Sequence, residues 1–125
     1  MRRPHPTLTP QELAIMKVVW RLKSATVRDI YEALRAERTI AYTTVMTMMR
    51  ILEDKGYLRK SSSERAYVYT PAKPQQQVVG AMVRDFVDRV FDGASSSLLL
   101  HLVKDNKLTD KQRRIVKKLI EEIEE

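Results

Sequence analysis

The chain has 125 residues, no cysteine and a formal net charge of +7. Without cysteine there are no disulfides, thiolate metal sites or cysteine nucleophiles. No apolar run approaches the roughly 20 residues of a membrane span, and Pro4-His5-Pro6 stands where a signal peptide needs an apolar run, so we expect a cytoplasmic protein without membrane insertion.

Two N-terminal helices are predicted, each beginning with a capping box. Thr9–Glu12 combines a capping threonine, a proline suited to the first helical position and an acidic residue three places after the cap, and its helix continues to about Leu22. Thr26 with Asp29 opens the second helix, which ends near Ala36. The residues expected to face a core are Leu13, Met16, Val19 and Trp20 in the first helix and Val27, Ile30, Tyr31 and Leu34 in the second.

The third predicted helix, Tyr42–Lys55, has two different faces. Gly56 follows it, at a position where a residue without Cβ closes a helix at little cost. One face is apolar and predicts core contact through Val45, Met48, Met49 and Leu52. The second face is uncharged except for one arginine and consists of Thr43, Met46, Thr47 and Arg50. A solvated helix usually carries Glu and Lys there, whereas a helix in the major groove of DNA needs short groups that reach base edges.

A hairpin, here called the wing, follows with strands at about Tyr57–Lys60 and Arg65–Tyr69 around a polar tip. In the second strand, tyrosines alternate with Val68, as in a half-buried strand. The segment Thr70–Pro74 contains two prolines, which stop both strands and helices and so mark a domain boundary. Helix, helix, turn, helix and hairpin in this order predict a winged helix-turn-helix domain over residues 1–73.

Residues 74–125 are predicted to be helical only. Helices are expected over about Gln75–Asp92 and Ser95–Val103, and Thr109 with Gln112 caps a last one. Three short helices with broad apolar faces bury too little surface to be stable alone. They either interlock with a second copy or pack back on the N-terminal domain, and we favour the homodimer. The candidate dimerisation residues are Val79, Met82, Phe86, Val90, Leu99, Leu102, Val116, Leu119, Ile120 and Ile123. The predicted fold class is mainly α with a small β-hairpin wing: an N-terminal winged helix-turn-helix and a C-terminal helical dimerisation region.

All of the excess positive charge lies in the N-terminal part. Residues 1–74 contain 14 Lys and Arg against 7 Asp and Glu, whereas residues 75–125 contain 9 of each. Lys and Arg near phosphates release condensed counterions, so a polyanion partner such as double-stranded DNA explains the asymmetry. The alternative is a solvated basic surface, but the excess charge coincides with the third helix and the wing.

Five segments occur in order from about Leu8 towards the C-terminus: LTPQELAIMKVVW, TVRDIYEAL, AYTTVMTMMRILEDKGYL, YVYTP and FVDRVFDG. Together they resemble the family of penicillinase and methicillin-resistance repressors, which also includes copper-transport repressors. The resemblance implies a dimeric transcriptional repressor that binds an operator of inverted repeats with TACA-like and TGTA-like half-sites. It also implies an indirect partner, a membrane sensor with a metalloprotease domain, because the antibiotic-responsive members are released when they are cut in their dimerisation region.

The sequence departs from that family pattern at three places. The copper-responsive branch carries a C-terminal cysteine motif, which is absent here, so copper release is not expected. The Asn-Phe step that is cut in the proteolysed members aligns with His101-Leu102, which leaves the inducing signal open. The third helix begins with Ala41-Tyr42 instead of Ser-Pro, and its outer face lacks lysines, so the half-site preference is open as well.

The third helix and the wing supply the expected DNA contacts. The hydroxyls of Thr43 and Thr47 suit base edges, and Arg50, one turn later, suits a phosphate or a guanine. Met46 either contacts thymine methyls or turns into the core. The residues assigned to phosphates are Tyr42 at the helix start, Arg59, Lys60 and Arg65 in the wing, and Arg28 on the second helix.

Other functions have less support in the sequence. No Ser/His/Asp set, metal-ligand cluster or phosphate-binding glycine loop occurs, so neither an enzyme nor a cofactor is expected. His5 and His101 lie far apart, with no cysteine or clustered carboxylates to join them in a metal site. Two alternatives are kept. A winged helix that binds protein predicts an exposed apolar patch instead of a basic face, and a non-specific architectural DNA-binding protein predicts broader basic coverage.

Overall fold

Six helices and one antiparallel hairpin make up the part of the chain that the structure describes. This computed structural model describes residues 8–62, 66–104 and 108–124. The elements are α1 Pro10–Leu22, α2 Val27–Arg35, α3 Tyr42–Asp54, β1 Leu58–Ser62, β2 Tyr67–Pro71, α4 Gln75–Val90, α5 Ser95–Lys104 and α6 Asp110–Glu124. The predicted fold class, mainly helical with a small hairpin after the third helix, is confirmed.

Four of the candidate DNA-binding and dimerisation residues lie outside this description, as does His5. Arg65 falls between residues 62 and 66, and the side chains of Leu119, Ile120 and Ile123 are not among those described. The roles assigned to these four residues therefore stay predictions.

The two predicted capping boxes are both present. At α1, Thr9 Oγ1 accepts a hydrogen bond from the Glu12 N–H at 3.1 Å, and the Glu12 carboxylate accepts one from the Thr9 N–H at 2.9 Å. At α2, Thr26 and Asp29 make the same pair of bonds, also at 3.1 and 2.9 Å. Each box satisfies two backbone N–H groups near the helix start, so the sequence itself fixes where each helix begins.

Helix α3 is one residue shorter than predicted. Its last helical residue is Asp54, and Lys55 is the cap, with its N–H donating to the Ile51 carbonyl at 2.9 Å. Gly56 then adopts φ 89°, in the left-handed region that a residue with Cβ rarely enters. Gly56 thus ends the helix as expected, and β1 begins at Leu58 instead of Tyr57.

The core of the N-terminal part lies between α1, α2, α3 and the hairpin. Its fully buried side chains are Ile15, Met16, Val19, Ile30, Val45, Met49 and Leu52. The prediction for α1 is partly wrong, because Ile15 and Val18 are buried whereas Leu13 and Trp20 are half-buried. Since α1 packs against α2, α3 and β2, its buried face is wider than one stripe at helical spacing.

The wing is anchored at its base and exposed towards its tip. β1 and β2 pair antiparallel, with Leu58 opposite Pro71, and the extended residue Ala25 exchanges hydrogen bonds of 2.9 and 2.8 Å with Tyr69. Tyr69 is buried, but Tyr67, on the same face of β2, is 56% exposed. The predicted half-buried strand is therefore covered only near the Ala25 bridge, and it extends beyond the helices towards its tip.

The chain divides into two compact units, Met1–Val79 and Gly80–Glu125. The boundary between them lies within α4, whereas the prolines in the sequence predict one at residue 73. The assignment of DNA binding to the first unit and of dimerisation to the second stays a prediction.

The segment that leaves the wing stays attached to the first unit. Trp20 Nε1 donates to the Lys73 carbonyl at 3.0 Å, and the Ala72 N–H donates to the Tyr57 carbonyl at 2.8 Å. The Lys73 ammonium lies 4.8 Å from the centroid of the Tyr57 ring. These contacts hold the chain on the first unit as far as Lys73, between the two prolines, and the unit continues to Val79.

The second unit contains the rest of α4 together with α5 and α6. Helix α4 ends at Val90, earlier than predicted, because Asp92 and Gly93 take φ values of 52° and 83° and turn the chain. The predicted cap of α6 is present, with Thr109 and Gln112 exchanging hydrogen bonds at 3.1 and 3.0 Å. α5 packs against α6. Among the described residues, no helix combines the length and the apolar character needed to cross a membrane.

Candidate nucleic-acid interface

Helix α3 presents its predicted outer face to solvent. Tyr42 and Met46 are 37% and 40% exposed, and Thr43, Thr47 and Arg50 are exposed as well. The structure decides between the two interpretations of Met46, whose side chain lies on the surface and not in the core. The opposite face of α3 is buried, so the helix is anchored on one side and offers hydroxyls, a thioether and a guanidinium on the other.

A surface groove of about 410 Å³ lies beside this face, between the start of α2, α3 and the wing. It brings together five of the predicted site residues, which are Arg28, Tyr42, Met46, Arg50 and Lys60. Thr43 and Thr47 do not line the groove. The predicted site therefore has two parts, an exposed strip of α3 and a groove with three cations next to it.

The groove also includes residues that the sequence analysis missed. Tyr67 of β2 lines it, as do Thr26 and Val27 at the start of α2. In the sequence, Tyr67 is one of two tyrosines in a strand expected to be half-buried. Nothing in the sequence shows that Ala25 pairs with Tyr69, so the exposure of Tyr67 could not be predicted. Thr26 and Val27 signal only a helix start, because nothing in the sequence shows that the start of α2 faces the wing.

An aromatic pair joins α2 to α3 next to the groove, which Tyr42 lines and Tyr31 does not. Tyr31 and Tyr42 meet edge to face, with their ring centroids 5.4 Å apart. The guanidinium carbon of Arg28 lies 5.6 Å from the Tyr42 centroid, and Arg28 Nη1 lies 3.3 Å from Glu32 Oε2. The ring orients this cation towards the groove while most of the Arg28 side chain stays in water.

Lys60, on the wing side, also lies between an aromatic ring and a carboxylate, whereas Arg50 does not. Lys60 Nζ lies 4.5 Å from the centroid of the Tyr67 ring and 3.8 Å from Glu53 Oε1. Within the described residues, Arg50 makes no ion pair and no ring contact. Two groove cations are thus each shared between a ring and a carboxylate, and the third faces solvent without a neutralising partner.

Arg59 does not join the groove. Successive side chains of a strand point to opposite faces, so Arg59 and Lys60 lie on different sides of the wing. Lys60 is on the face of Leu58, which is buried, and of its cross-strand partner Tyr69. Arg59 is exposed on the other face, opposite Thr70.

The start of α3 suits an anion. Its cap residue is Ala41, no side chain of the described residues caps the first turn, and no acidic residue lies in that turn. The backbone N–H groups and the positive end of the helix dipole therefore stay without local neutralisation, next to Tyr42.

A partly buried ion pair holds the other end of α3. Lys55 Nζ donates to both oxygens of Glu12, at 3.0 and 3.1 Å, and Glu12 is 4% exposed. Burial raises the pKa of the neighbouring Tyr57 hydroxyl above its ordinary value, while the Lys55 charge lowers it and the Glu12 charge adds to the rise. In the sequence Glu12 reads only as part of a capping box, because its ionic partner lies 43 residues away.

The groups assembled here are hydrogen-bond donors and cations. Guanidiniums, an ammonium and the tyrosine hydroxyl suit phosphate oxygens, and the threonine hydroxyls with the Met46 thioether suit base edges and thymine methyls. Among the described residues, no group of three or more His, Cys, Asp or Glu is placed to hold a metal ion.

Comparison with known proteins agrees with the resemblance of the five sequence segments to the penicillinase and methicillin-resistance repressors. The penicillinase repressor of Bacillus licheniformis is 26% identical over 117 residues, which cover 94% of this chain and 91% of that protein. The transcriptional regulator BlaI of Mycobacterium tuberculosis is 35% identical over 95 residues, which cover 74% of this chain and 69% of that protein.

A solved structure shares the fold of part of this chain. The solution structure of monomeric Bacillus licheniformis BlaI, in complex with the blaP half-operator, matches with a TM-score of 0.51 and 29% identity, over 60% of this chain and 92% of that chain. The family model described as penicillinase repressor matches residues 8–122. That family consists of transcriptional repressors and not of enzymes, and this chain belongs to it.

Proposed function

We propose that this chain is a dimeric repressor that binds one DNA operator sequence-specifically. The observation that carries the proposal is the exposed strip of short polar side chains on α3 beside a groove lined by three cations. The relative with a solved structure, 29% identical, forms a complex with a half-operator, which supports DNA as the partner. Because repression acts on genomic DNA, we place the protein in the cytoplasm.

The strip and the groove serve different parts of the duplex. Thr43 and Thr47 contact base edges in the major groove, and the exposed Met46 packs on a thymine methyl. Arg50 and Tyr42 bind phosphates along the groove, where base identity has no influence. Base contacts therefore supply the sequence preference, and the groove fixes the register of α3 on the duplex.

The wing and α2 extend the phosphate contacts. Arg28 and Lys60 bind phosphates from the two sides of the groove. Arg59, on the outer face of the wing, reaches a phosphate beyond the groove, and the assignment of Arg65 to the same backbone rests on the sequence alone. The excess charge of residues 1–74 supports this assignment, because each cation near a phosphate releases a counterion.

The second unit supplies the two-fold dimer. Large apolar side chains are exposed on it, and those with the greatest exposure are Val83, Phe86, Val90, Leu100, Leu102 and Ile115. Of the other predicted dimerisation residues, Val79 is exposed, and Met82, Leu99 and Val116 are half-buried. A surface with this many apolar groups usually marks an interface, and a second copy would bury it. In such a dimer, two recognition helices bind half-sites about 34–36 Å apart or a multiple of that distance.

Release from DNA follows from loss of the dimer. Tethering the second half-site contact raises the overall affinity by roughly 10²–10⁴-fold, so monomers leave the operator. His101 and Leu102 are both exposed on α5, where a cut would remove α6 from the interface. A membrane sensor with a protease domain is the proposed, indirect source of that cut.

The proposal is tested by fluorescence-anisotropy binding of the full chain to a TACA/TGTA inverted repeat and to a scrambled duplex, each at two salt concentrations. We expect a preference of about a thousandfold or more for the repeat, with two protein chains per duplex. Equal and steeply salt-dependent binding to both duplexes would instead support a different operator or an architectural role. Absence of binding at low salt would exclude DNA as the partner.

A further inference from the structure

We propose that two carboxylates, those of Glu32 and Glu53, attenuate DNA binding by neutralising cations of the groove. DNA phosphates displace these carboxylates when the duplex binds. This inference rests on the proposed function, and it adds two acidic residues that set the affinity of the site without contacting DNA themselves.

On the α2 side of the groove, the Glu32 carboxylate forms ion pairs with two arginines. Glu32 Oε2 lies 3.3 Å from Arg28 Nη1, and Glu32 Oε1 lies 3.6 Å from Arg35 Nη1. Each guanidinium also lies near a ring, with Arg28 over Tyr42 at 5.6 Å and Arg35 over Tyr31 at 5.4 Å. Because each arginine keeps its aromatic neighbour when the carboxylate withdraws, the rings orient the cations and Glu32 only neutralises them.

The same arrangement recurs on the wing side with residues from other elements. Glu53 belongs to α3, Lys60 to β1 and Tyr67 to β2. Lys60 Nζ lies 3.8 Å from Glu53 Oε1 and 4.5 Å from the centroid of the Tyr67 ring. Two groove cations from separate elements thus have the same pair of neighbours, a ring that holds them and a carboxylate that cancels their charge.

The energetics favour exchange of carboxylate for phosphate. Both carboxylates and their cations are partly exposed, and ion pairs of this kind are weak because water and salt screen them. A cation that moves to a phosphate releases a condensed counterion from the duplex, which is a larger gain. The displaced carboxylate then lies close to the duplex with the same sign of charge, so its presence lowers the affinity of the whole protein.

The test compares the full chain with Glu32→Gln and Glu53→Gln, which remove the charge and nearly preserve the size. The probe is a mixed-sequence duplex, titrated by fluorescence anisotropy at several salt concentrations, because the phosphate contribution does not depend on the operator. We expect each variant to bind about two- to fivefold more tightly than the parent, the range for an exposed ion pair. The slope of log affinity against log salt is expected to steepen by less than about 0.9, because the cations reach the same phosphates in parent and variant and only the salt-screened repulsion by the carboxylate is removed.

Two controls separate pairing from overall charge. Glu37→Gln removes one exposed carboxylate from the same unit, and among the described residues Glu37 makes no ion pair, so its binding is expected to equal that of the parent. The gain from Glu53→Gln is expected to disappear when Lys60→Gln is already present, because the carboxylate then has no cation to neutralise. Circular dichroism verifies that every variant is folded.

Each outcome has a definite meaning. Tighter binding with steeper salt dependence for both variants, together with the two control results, supports the proposal. Unchanged or weaker binding of Glu32→Gln and Glu53→Gln overturns it, since the carboxylates would then orient the cations. An equal gain in Glu37→Gln, or a gain that persists beside Lys60→Gln, overturns it too. A parent chain that binds no duplex at low salt refutes the proposed function and, with it, this inference. A parent chain that binds DNA while the variants bind no more tightly refutes only this inference, so the two failures are distinguishable.

Discussion

Replacing Lys55 with methionine is expected to lower the free energy of unfolding of the first unit by about 2–3 kcal/mol. The Lys55 ammonium donates to both oxygens of Glu12, whose side chain is only 5% exposed. In Lys55→Met the carboxylate keeps its hydrogen bond from the Thr9 N–H but loses its counter-charge while it stays buried. The expected loss lies below the roughly 3–5 kcal/mol typical of a fully buried pair, because the Lys55 side chain is 30% exposed and water reaches that side of the pair.

The companion variants give an order of effects that a general loss of packing would not produce. Glu12→Gln removes the buried charge, and its amide oxygen still accepts from the Thr9 N–H, while the partly exposed Lys55 ammonium is solvated. We therefore expect a loss of about 1 kcal/mol for Glu12→Gln. The double variant is expected to be no less stable than Lys55→Met alone, which corresponds to a coupling energy of about 1–2 kcal/mol.

Urea unfolding followed by Trp20 fluorescence measures these losses. Trp20 is the single tryptophan of the chain and lies in the first unit, so the signal reports on that unit. With a slope of about 1–3 kcal/mol/M, the Lys55→Met midpoint is expected to fall by roughly 0.7–3 M. Arg35→Met, which breaks an exposed pair with Glu32 in the same unit, is the matched control and is expected to lose less than about 1 kcal/mol. Equal losses for Lys55→Met and Arg35→Met would refute the reasoning.

Three further predictions concern DNA binding and assembly. Thr47→Ala is expected to reduce the discrimination at one base pair by about 1–3 kcal/mol, measured as binding to a panel of singly substituted duplexes. If the relative affinities across the panel are unchanged, the base contact is assigned to Thr43 instead. Arg50→Ala is expected to weaken binding equally for all sequences and to lower the salt slope by about one, whereas a sequence-dependent loss would assign Arg50 to a base. Phe86→Asp is expected to give a monomer in sedimentation experiments and to weaken operator binding by about 10²–10⁴-fold, and a variant that stays dimeric contradicts the assigned interface.

Features determined by neighbouring residues were predictable from the sequence. The capping pairs Thr9 with Glu12 and Thr26 with Asp29 fix helix starts through bonds over three residues, and Gly56 ends α3 because its φ is positive. The exposed strip of α3 follows from helical spacing alone. Local chemistry was thus enough for the order of the elements and for most of the exposed face of α3, whereas the position of Met46 was left open.

Features that join distant parts of the chain were not predictable in the same way. The pairing of Glu12 with Lys55 and the bond from Trp20 to the Lys73 carbonyl depend on how the helices pack, which no local spacing encodes. The choice of Lys60 over Arg59 as the groove cation depends on strand register, since a shift of one residue exchanges the two faces. A sequence can therefore name the candidate cations, but only the packed hairpin shows which of them share a surface.

Both ends of α3 are held by contacts to the other helices, although the helix start lacks a side-chain cap. Ala41 gives the helix no side-chain cap, so its first turn depends on the contact between Tyr42 and Tyr31. Its last turn is held by the ion pair between Lys55 and Glu12. Both contacts join α3 to the other helices, and Thr43, Met46, Thr47 and Arg50 take part in neither, so these side chains stay exposed while the position of the helix is fixed. The same Tyr42 ring also lies over the Arg28 guanidinium, so the groove and the exposed strip of α3 share one anchor. In the proposed complex, we therefore expect a duplex that contacts the groove to have its bases in register with α3.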